Sequence, residues 1–279
     1  MQRTAAPARR PLRGIAGLLA LGATLLPVML GFGVPALHLA HQAWIRLDFA
    51  GFSQRMIGET INTVSISALA TVIVVVLGTV VAYAARLDDG RFGRLFLRAA
   101  SLGYALPGTV VAIGLLAPLA GLDNLVDGAM RNAFGISTGL LLSGTVAALT
   151  YAYVVRFMAI STGGVDAGFD KIPRRLDYSA RTLGETVGGA FRRVHLPLLR
   201  PALGTAAILV FVDCMKELPA TLLLRPMNFE TLATHLYGEA ARGTYEDGAI
   251  AALLIVAVGL LPVILLSRLS RPAVPQVQG

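Results

Sequence analysis

Three charged residues stand close together in an apolar setting: Asp213, Lys216 and Glu217, in VDCMKELPATLLLRP, just ahead of Pro219. A charge at the centre of a bilayer costs at least ~2.5 kcal/mol on insertion scales, so such groups face protein or water and pair with one another. Asp213 and Lys216 are three apart and Asp213 and Glu217 four apart. That spacing predicts one shared helical face, with Lys216 bridging the two carboxylates. Pro219 removes a helix hydrogen bond and frees the carbonyl of Met215 at the same depth. Two roles fit equally: the lining or gate of a path for a polar solute, and a buried ion-pair cluster that fixes helix packing.

A second stretch has the character of a docking element. Asp177 to Pro201, DYSARTLGETVGGAFRRVHLPLLRP, is an Arg-rich insert between apolar segments. Gly184 divides it into two expected short helices, because glycine reaches left-handed dihedrals without penalty. Pro197 and Pro201 are expected to close it, with Pro201 in the first turn of the next helix. Ala180, Leu183 and Val187 recur at helical spacing on one side, and Ala190, Phe191, Val194 and Leu198 on the other. Such stripes in a long loop predict contact with another protein.

Several chemistries are missing from the sequence. No Gly-x-x-x-x-Gly-Lys-Ser/Thr occurs, and neither lysine, Lys171 or Lys216, follows a glycine. The chain therefore has no phosphate-binding loop of that type. His-x-x-x-His, paired cysteines and Gly-x-Ser-x-Gly are absent as well. His38 and His41 share a helical face but have no carboxylate or cysteine close by, so they read as interfacial polar groups and no metal site is expected. Cys214 is the single cysteine, which excludes an intrachain disulfide.

The elements that must position these residues are membrane spans. The chain is 55% hydrophobic and only 14% charged, and several apolar runs reach the ~20 residues that cross a bilayer. A basic segment, 1–14, precedes a first span from Ile15 to Ala43, read as uncleaved. Further spans are expected at Thr60–Ala85, Ala99–Ala120 with a bend at Pro107-Gly108, Gly139–Ile160, Pro201–Leu224 and Gly248–Ser267. A tail, 268–279, follows the transmembrane domain of 15–267. Trp44–Glu59 and Gly121–Thr138 become outer loops, and Arg225–Asp247 an outer re-entrant or surface segment. Arg86–Arg98 and 161–200 become inner loops. The net charge of +8 would suggest nucleic acid in a soluble domain, yet here the arginines sort by loop. Outer loops hold Arg46, Arg55, Arg131, Arg225 and Arg242 against eight carboxylates, and the remaining basic loops fall inside. The expected fold is an all-α polytopic bundle of about six transmembrane helices, both termini cytoplasmic, with lipid and not nucleic acid around it.

The Asp177–Pro201 stretch resembles the cytoplasmic coupling loop, or EAA loop, of ATP-binding-cassette (ABC) importer permeases. That pattern is Glu-Ala-Ala, three residues, Gly, a spacer, then Leu-Pro. Ala180, Gly184 and the Leu196-Pro197 pair match it in type and spacing. Tyr178 stands where the family has Glu and Ser179 where it has the first Ala. Asp177, one place earlier, is positioned to replace the carboxylate. MKELPATLLLRP with NFETLATHLYGEAA, YALPGTVVAIGLL (Tyr104 to Leu116) and GLLPVILLSR (Gly259 to Arg268) look like the iron(III) branch, near the second half of its two-repeat chains. Branches for thiamine and phosphonates share much of the pattern.

The resemblance implies a type I importer permease fold in the bacterial inner membrane. Its partners would be a second permease half or subunit, identical or different, two cytoplasmic ATP-binding subunits and a soluble substrate-binding protein. ATP and magnesium would sit on the partner ATPase, with no cofactor and no catalysis in this chain. Asp177, Tyr178, Ser179, Ala180, Gly184, Leu196 and Pro197 would couple to that ATPase. Asp213, Lys216, Glu217 and Pro219 would line the path or gate. Iron(III) is the leading substrate, and with one repeat the chain would pair or form half of a split permease. An ion-coupled secondary transporter using Asp213 and Glu217 is the competing class, and a structural assembly subunit a third.

Overall fold

A computed structural model describes residues 14–88 and 90–269, with side chains followed to Ile264. The basic N-terminal segment up to residue 13 and most of the expected tail lie outside those residues. Six helices are long and apolar enough to cross a membrane. In chain order the elements are α1 (Ile15–Ala50), α2 (Gln54–Leu87), α3 (Arg91–Ala105), α4 (Gly108–Phe134), α5 (Val146–Asp170), α6 (Arg175–Thr182), α7 (Val187–Met215), α8 (Pro219–Leu224), α9 (Leu232–Arg242) and α10 (Tyr245–Leu269). There are no strands among the described residues. A bilayer demands that backbone groups be satisfied within each segment, which leaves helices as the solution here.

The run TVIVVVLGTVV in α2 is β-branched and still helical. Hydroxyls help: Thr63, Thr71 and Thr79 each donate to the carbonyl four residues back, at 2.7, 2.6 and 2.6 Å. Small residues bring the central helices together. A Cβ at Gly78 would overlap Ser161 of α5, and one at Gly168 would meet Ala202 of α7 at 2.7 Å. The core between α2, α5 and α7 is built from Ile66, Ala70, Val74, Leu149, Tyr153, Phe157 and Val210. A second cluster joins α1 to α10 through Ala43, Ala249, Ile250 and Ala251. The first half of α1, Ile15–Val28, buries no residue within the chain.

Several expected boundaries move. The charged stretch Arg86–Arg98 is not a loop: most of it forms α3, pressed against α2 and α5 through Gly93 and Gly103. The expected outer loop from Gly121 is helical through Phe134. Its carboxylates explain this, because they brace the segment that follows. Asp123 accepts from the backbone N–H groups of Leu141, Leu142 and Ser143, and Asp127 from those of Thr138 and Gly139. Span four starts later, at Val146, and runs to Asp170. The helix after Gly184 begins at Val187 and passes through both Pro197 and Pro201. A π turn at Phe191–His195, where the N–H of Leu196 reaches back to the carbonyl of Phe191, widens the coil before Pro197. Neither proline closes the insert, so only 171–186 separates α5 from α7.

Candidate functional site

The segment between α5 and α7 is a helix–turn–helix. Helix α6 ends in a Schellman arrangement: the N–H of Gly184 bonds to the carbonyl of Arg181 and that of Glu185 to Ala180, both at 3.0 Å. Gly184 has φ +80, a conformation that penalises every residue with a Cβ. Thr186 then caps α7, its hydroxyl accepting from Gly189 N–H at 3.1 Å. The division at Gly184 therefore stands as read from the sequence.

Helix α6 has an inward and an outward side. Asp177 faces inward, where Arg86 Nη2 lies 2.7 Å from one carboxylate oxygen and His195 Nε2 2.7 Å from the other. Arg86 also donates to the carbonyls of Phe169 and Ile172 at 2.7 and 3.0 Å, and its guanidinium lies 5.2 Å from the Phe169 ring centroid. Tyr83 donates to the carbonyl of Val187 at 2.7 Å and packs against Phe191 and His195. Ala180 is buried beside this cluster. Tyr178 and Leu183 project outward, 62% and 83% exposed, and Ser179 and Gly184 are exposed with them. Leu196 and Pro197 lie further along α7 and are exposed as well. Arg86 and His195 carry the anchoring, and the sequence reading assigned neither a role. A buried arginine needs an acid, and that requirement was the available signal.

The span-five charges divide differently from expectation. Asp213 and Lys216 do pair, Oδ1 to Nζ at 2.7 Å, with Lys216 largely exposed. Glu217 joins neither. Helix α7 ends at Met215, so residues 213 and 217 no longer share a face, and Lys216 bridges nothing to Glu217. Pro219 begins α8 and does not interrupt a continuing helix, consistent with proline's place in a first turn. Glu217 is buried, accepts from Ala220 N–H at 3.1 Å, and pairs with Arg156 of α5, Nε to Oε2 at 2.9 Å.

Arg156 continues to the second break in the bundle. Its Nη1 donates at 2.8 Å to the carbonyl of Leu106, in the gap between α3 and α4 that Pro107 creates. A Cβ on Gly108 would meet Glu217 Oε1 at 2.5 Å. Two helix breaks, one in YALPG and one in KELPA, are thus joined by one arginine and one glutamate. Tyr153 and Thr221 add a hydroxyl pair at 2.6 Å beneath them. The sequence reading passed over Arg156, although a lone arginine within YAYVVRFMAIS signals a required partner.

At the opposite side from Asp177, a cavity of about 890 Å³ is lined by Arg55, Glu59, Asn62, Arg225, Asn228 and Glu230 among others. Glu59 is buried and holds Arg55 at 2.7 Å and His235 Nδ1 at 2.9 Å. Hydrogen bonding to Glu59 raises the pKa of His235 against the opposing effect of burial. Glu230 meets Arg225 at 2.5 Å. Among the described residues, no group of three or more His, Cys, Asp or Glu has metal-holding geometry.

The family described as "Binding-protein-dependent transport system inner membrane component" matches residues 74–275. The trehalose transport system permease protein SugB of Mycobacterium tuberculosis is 36% identical over 59% of this chain and 53% of its own length. The Fe(3+)-transport system permease protein FbpB 2 of Haemophilus influenzae is 25% identical over 86% of this chain and 45% of its own. The chain thus spans about half the length of these relatives. The molybdenum transport system permease protein ModB of Mycobacterium bovis differs in that respect: 31% identity extends over 86% of this chain and 90% of that protein. Among solved structures, a bacterial ABC transporter that imports the acidic polysaccharide alginate superposes with a TM-score of 0.70 at 16% identity, covering 91% of this chain and 94% of that one. At that identity the likeness concerns the fold. The chain belongs to the binding-protein-dependent transport system inner membrane component family, and it is a multi-pass inner-membrane protein.

Proposed function

We propose that this chain is a permease subunit of an ATP-driven importer. It works with a second permease half, two cytoplasmic ATPase subunits and a soluble substrate-binding protein. The observation that carries this reading is the two-sided helix α6. Asp177 and Ala180 hold it to the bundle, while Tyr178 and Leu183 stand out from it, largely exposed. A short element fixed on one side, with Tyr178 and Leu183 standing out among exposed Arg175, Ser179 and Arg181 on the other, suits the transfer of force from a docked partner. Both termini and this loop lie on the cytoplasmic side in the proposal, following the sorting of arginines.

Alternating access follows. ATP binding closes the ATPase pair, α6 moves with it, and the shift passes through Asp177, Arg86 and His195 into α2 and α7. Such coupling needs contacts that differ in free energy between the two states. The Arg156–Glu217 junction lies where α3, α4, α7 and α8 all break, and is the proposed hinge or gate along the path. The proposed substrate is iron(III) or a ferric chelate, in line with FbpB 2. The near-complete match to ModB favours a second reading, a molybdenum oxyanion.

Uptake into vesicles carrying the reconstituted importer tests these readings together. Radiolabelled ferric chelate and radiolabelled molybdate are offered with the ATPase intact or disabled. Accumulation of one solute only with intact ATPase supports the importer and names its substrate. Uptake that persists with the ATPase disabled, driven by an ion gradient, contradicts it.

A further inference from the structure

Helix α3 carries a surface that the transport reading does not use. Arg91, Arg94 and Arg98 recur at three- and four-residue spacing, all exposed, and border an open concavity of about 410 Å³ together with Leu95. None forms an ion pair or hydrogen bond among the described residues. Arg94 also borders a neighbouring cavity that contains Asp88, Asp166 and Asp170, yet it pairs with none of them. Asp88 is otherwise engaged: its carboxylate accepts the N–H groups of Gly90 and Gly93 at 2.9 and 2.8 Å. The same helix exposes Phe92, Leu95, Phe96 and Leu102, each at 59–70%.

Position in the bundle decides what can cover this surface. Gly93 is pressed against Ala85 and the Asp88 carbonyl at the end of α2, while Gly103 is pressed against the Val155 carbonyl near the middle of α5. Helix α3 therefore climbs from the edge of the bundle towards its centre. Seven residues separate Arg91 from Arg98, which at 1.5 Å per residue is about 10 Å of rise. A bilayer's polar layer is roughly 5–8 Å deep on each side, a depth that arginine side chains extend by reaching outward. The arginines alternate with Phe92, Leu95 and Phe96 along the same stretch of axis, so their guanidiniums would reach the headgroups by extending outward, while Leu102, one turn beyond Arg98, would lie deeper.

We propose that α3 binds an anionic phospholipid, its phosphate held by Arg91, Arg94 and Arg98 and its acyl chains lying along Phe92, Leu95, Phe96 and Leu102. A three-fold positive cluster, unpaired among the described residues, selects anionic over zwitterionic headgroups. The apolar side chains select a lipid over a free phosphate. This goes beyond the importer reading and depends on the membrane placement alone.

The test uses the full chain purified in a neutral detergent, with bound lipid counted by native mass spectrometry. Phosphatidylglycerol and phosphatidylcholine are added in equal amounts. The expected result is a preference of roughly tenfold for phosphatidylglycerol, lost in R91Q/R94Q/R98Q and kept in the charge-matched K171Q/R175Q/R192Q. Because none of the three arginines has a partner among the described residues, the first variant is expected to keep its melting temperature. Equal loss in both variants overturns the proposal in favour of diffuse charge attraction. Displacement of the lipid by millimolar inorganic phosphate or glycerol phosphate overturns it in favour of a simple anion site. Absence of any phosphatidylglycerol preference, with loss of a co-purifying protein in R91Q/R94Q/R98Q, overturns it in favour of a protein contact.

Discussion

Arg156 and Glu217 are 61 residues apart in sequence and 2.9 Å apart in space, and their contact joins the break after α3 to the break after α7. Both side chains are mostly buried. Removing one partner leaves the other charge without compensation, which costs about 3–5 kcal/mol in buried pairs. Arg156→Gln and Glu217→Gln are each expected to lower stability by that order in detergent unfolding. Arg156→Met combined with Glu217→Met is expected to recover most of the loss while abolishing uptake. Recovery of uptake along with stability would make the pair a packing device only.

Glycines at the same junction give a graded test. At Gly103 a Cβ would collide with the backbone carbonyl of Val155, which cannot swing away. At Gly108 it meets the Glu217 carboxylate and the Arg156 guanidinium, ends of longer side chains. Gly103→Ala is therefore expected to cost more than Gly108→Ala, with both near the 1–3 kcal/mol typical of overpacking. Thermal melts of the two variants side by side check the order.

Asp177 and Tyr178 are neighbours with opposite duties. Asp177→Asn uncouples the buried Arg86 and His195 and is expected to destabilise by about 3 kcal/mol. Tyr178→Ala touches an exposed side chain and is expected to change stability by less than ~0.5 kcal/mol. The expected loss for Tyr178→Ala is in ATPase capture, so melting temperature and capture measured on both variants separate anchoring from docking.

The Glu59–His235 contact makes stability depend on pH. Hydrogen bonding to Glu59 is the largest cause of the raised His235 pKa, with Glu239 adding to it and burial and Arg55 opposing. A raised folded-state pKa means that protonated His235 stabilises the fold fully below its unfolded pKa near ~6.5. That contribution is lost as pH rises through the higher folded value. Melting temperatures are expected to fall across that window in the parent chain and to flatten in His235→Gln.

Much of this architecture is legible in the residues, and the exceptions have physical causes. Apolar length alone predicts six crossings. Gly184 predicts the turn, because only a left-handed residue ends α6 with both carbonyls satisfied. Helix α3 was hidden because its arginines look like a loop when counted and like a helix only when their spacing is set beside Phe92, Leu95 and Phe96. Asp123 and Asp127 look like solvent-facing loop charges, yet their partners are backbone N–H groups ten or more residues away. Such long-range partners leave no local pattern. The same holds for Arg156: its sequence context states a need for an acid without saying which one. The expectation that Lys216 links Asp213 to Glu217 failed because helical spacing was carried past Met215, where the helix stops before Pro219.

The central claim is that the α6 turn docks an ATPase. The most direct measurement is capture of the purified chain from detergent with its co-expressed ATPase, comparing the parent with Gly184→Val. A valine at φ +80 costs roughly 1–2 kcal/mol locally, and with open space around Gly184 the bundle itself is expected to stay folded. The account predicts that an ATP-hydrolysing subunit co-purifies with the parent and is lost from Gly184→Val while the melting temperature falls by only a few degrees. No ATPase with the parent, or equal capture by both, would contradict it.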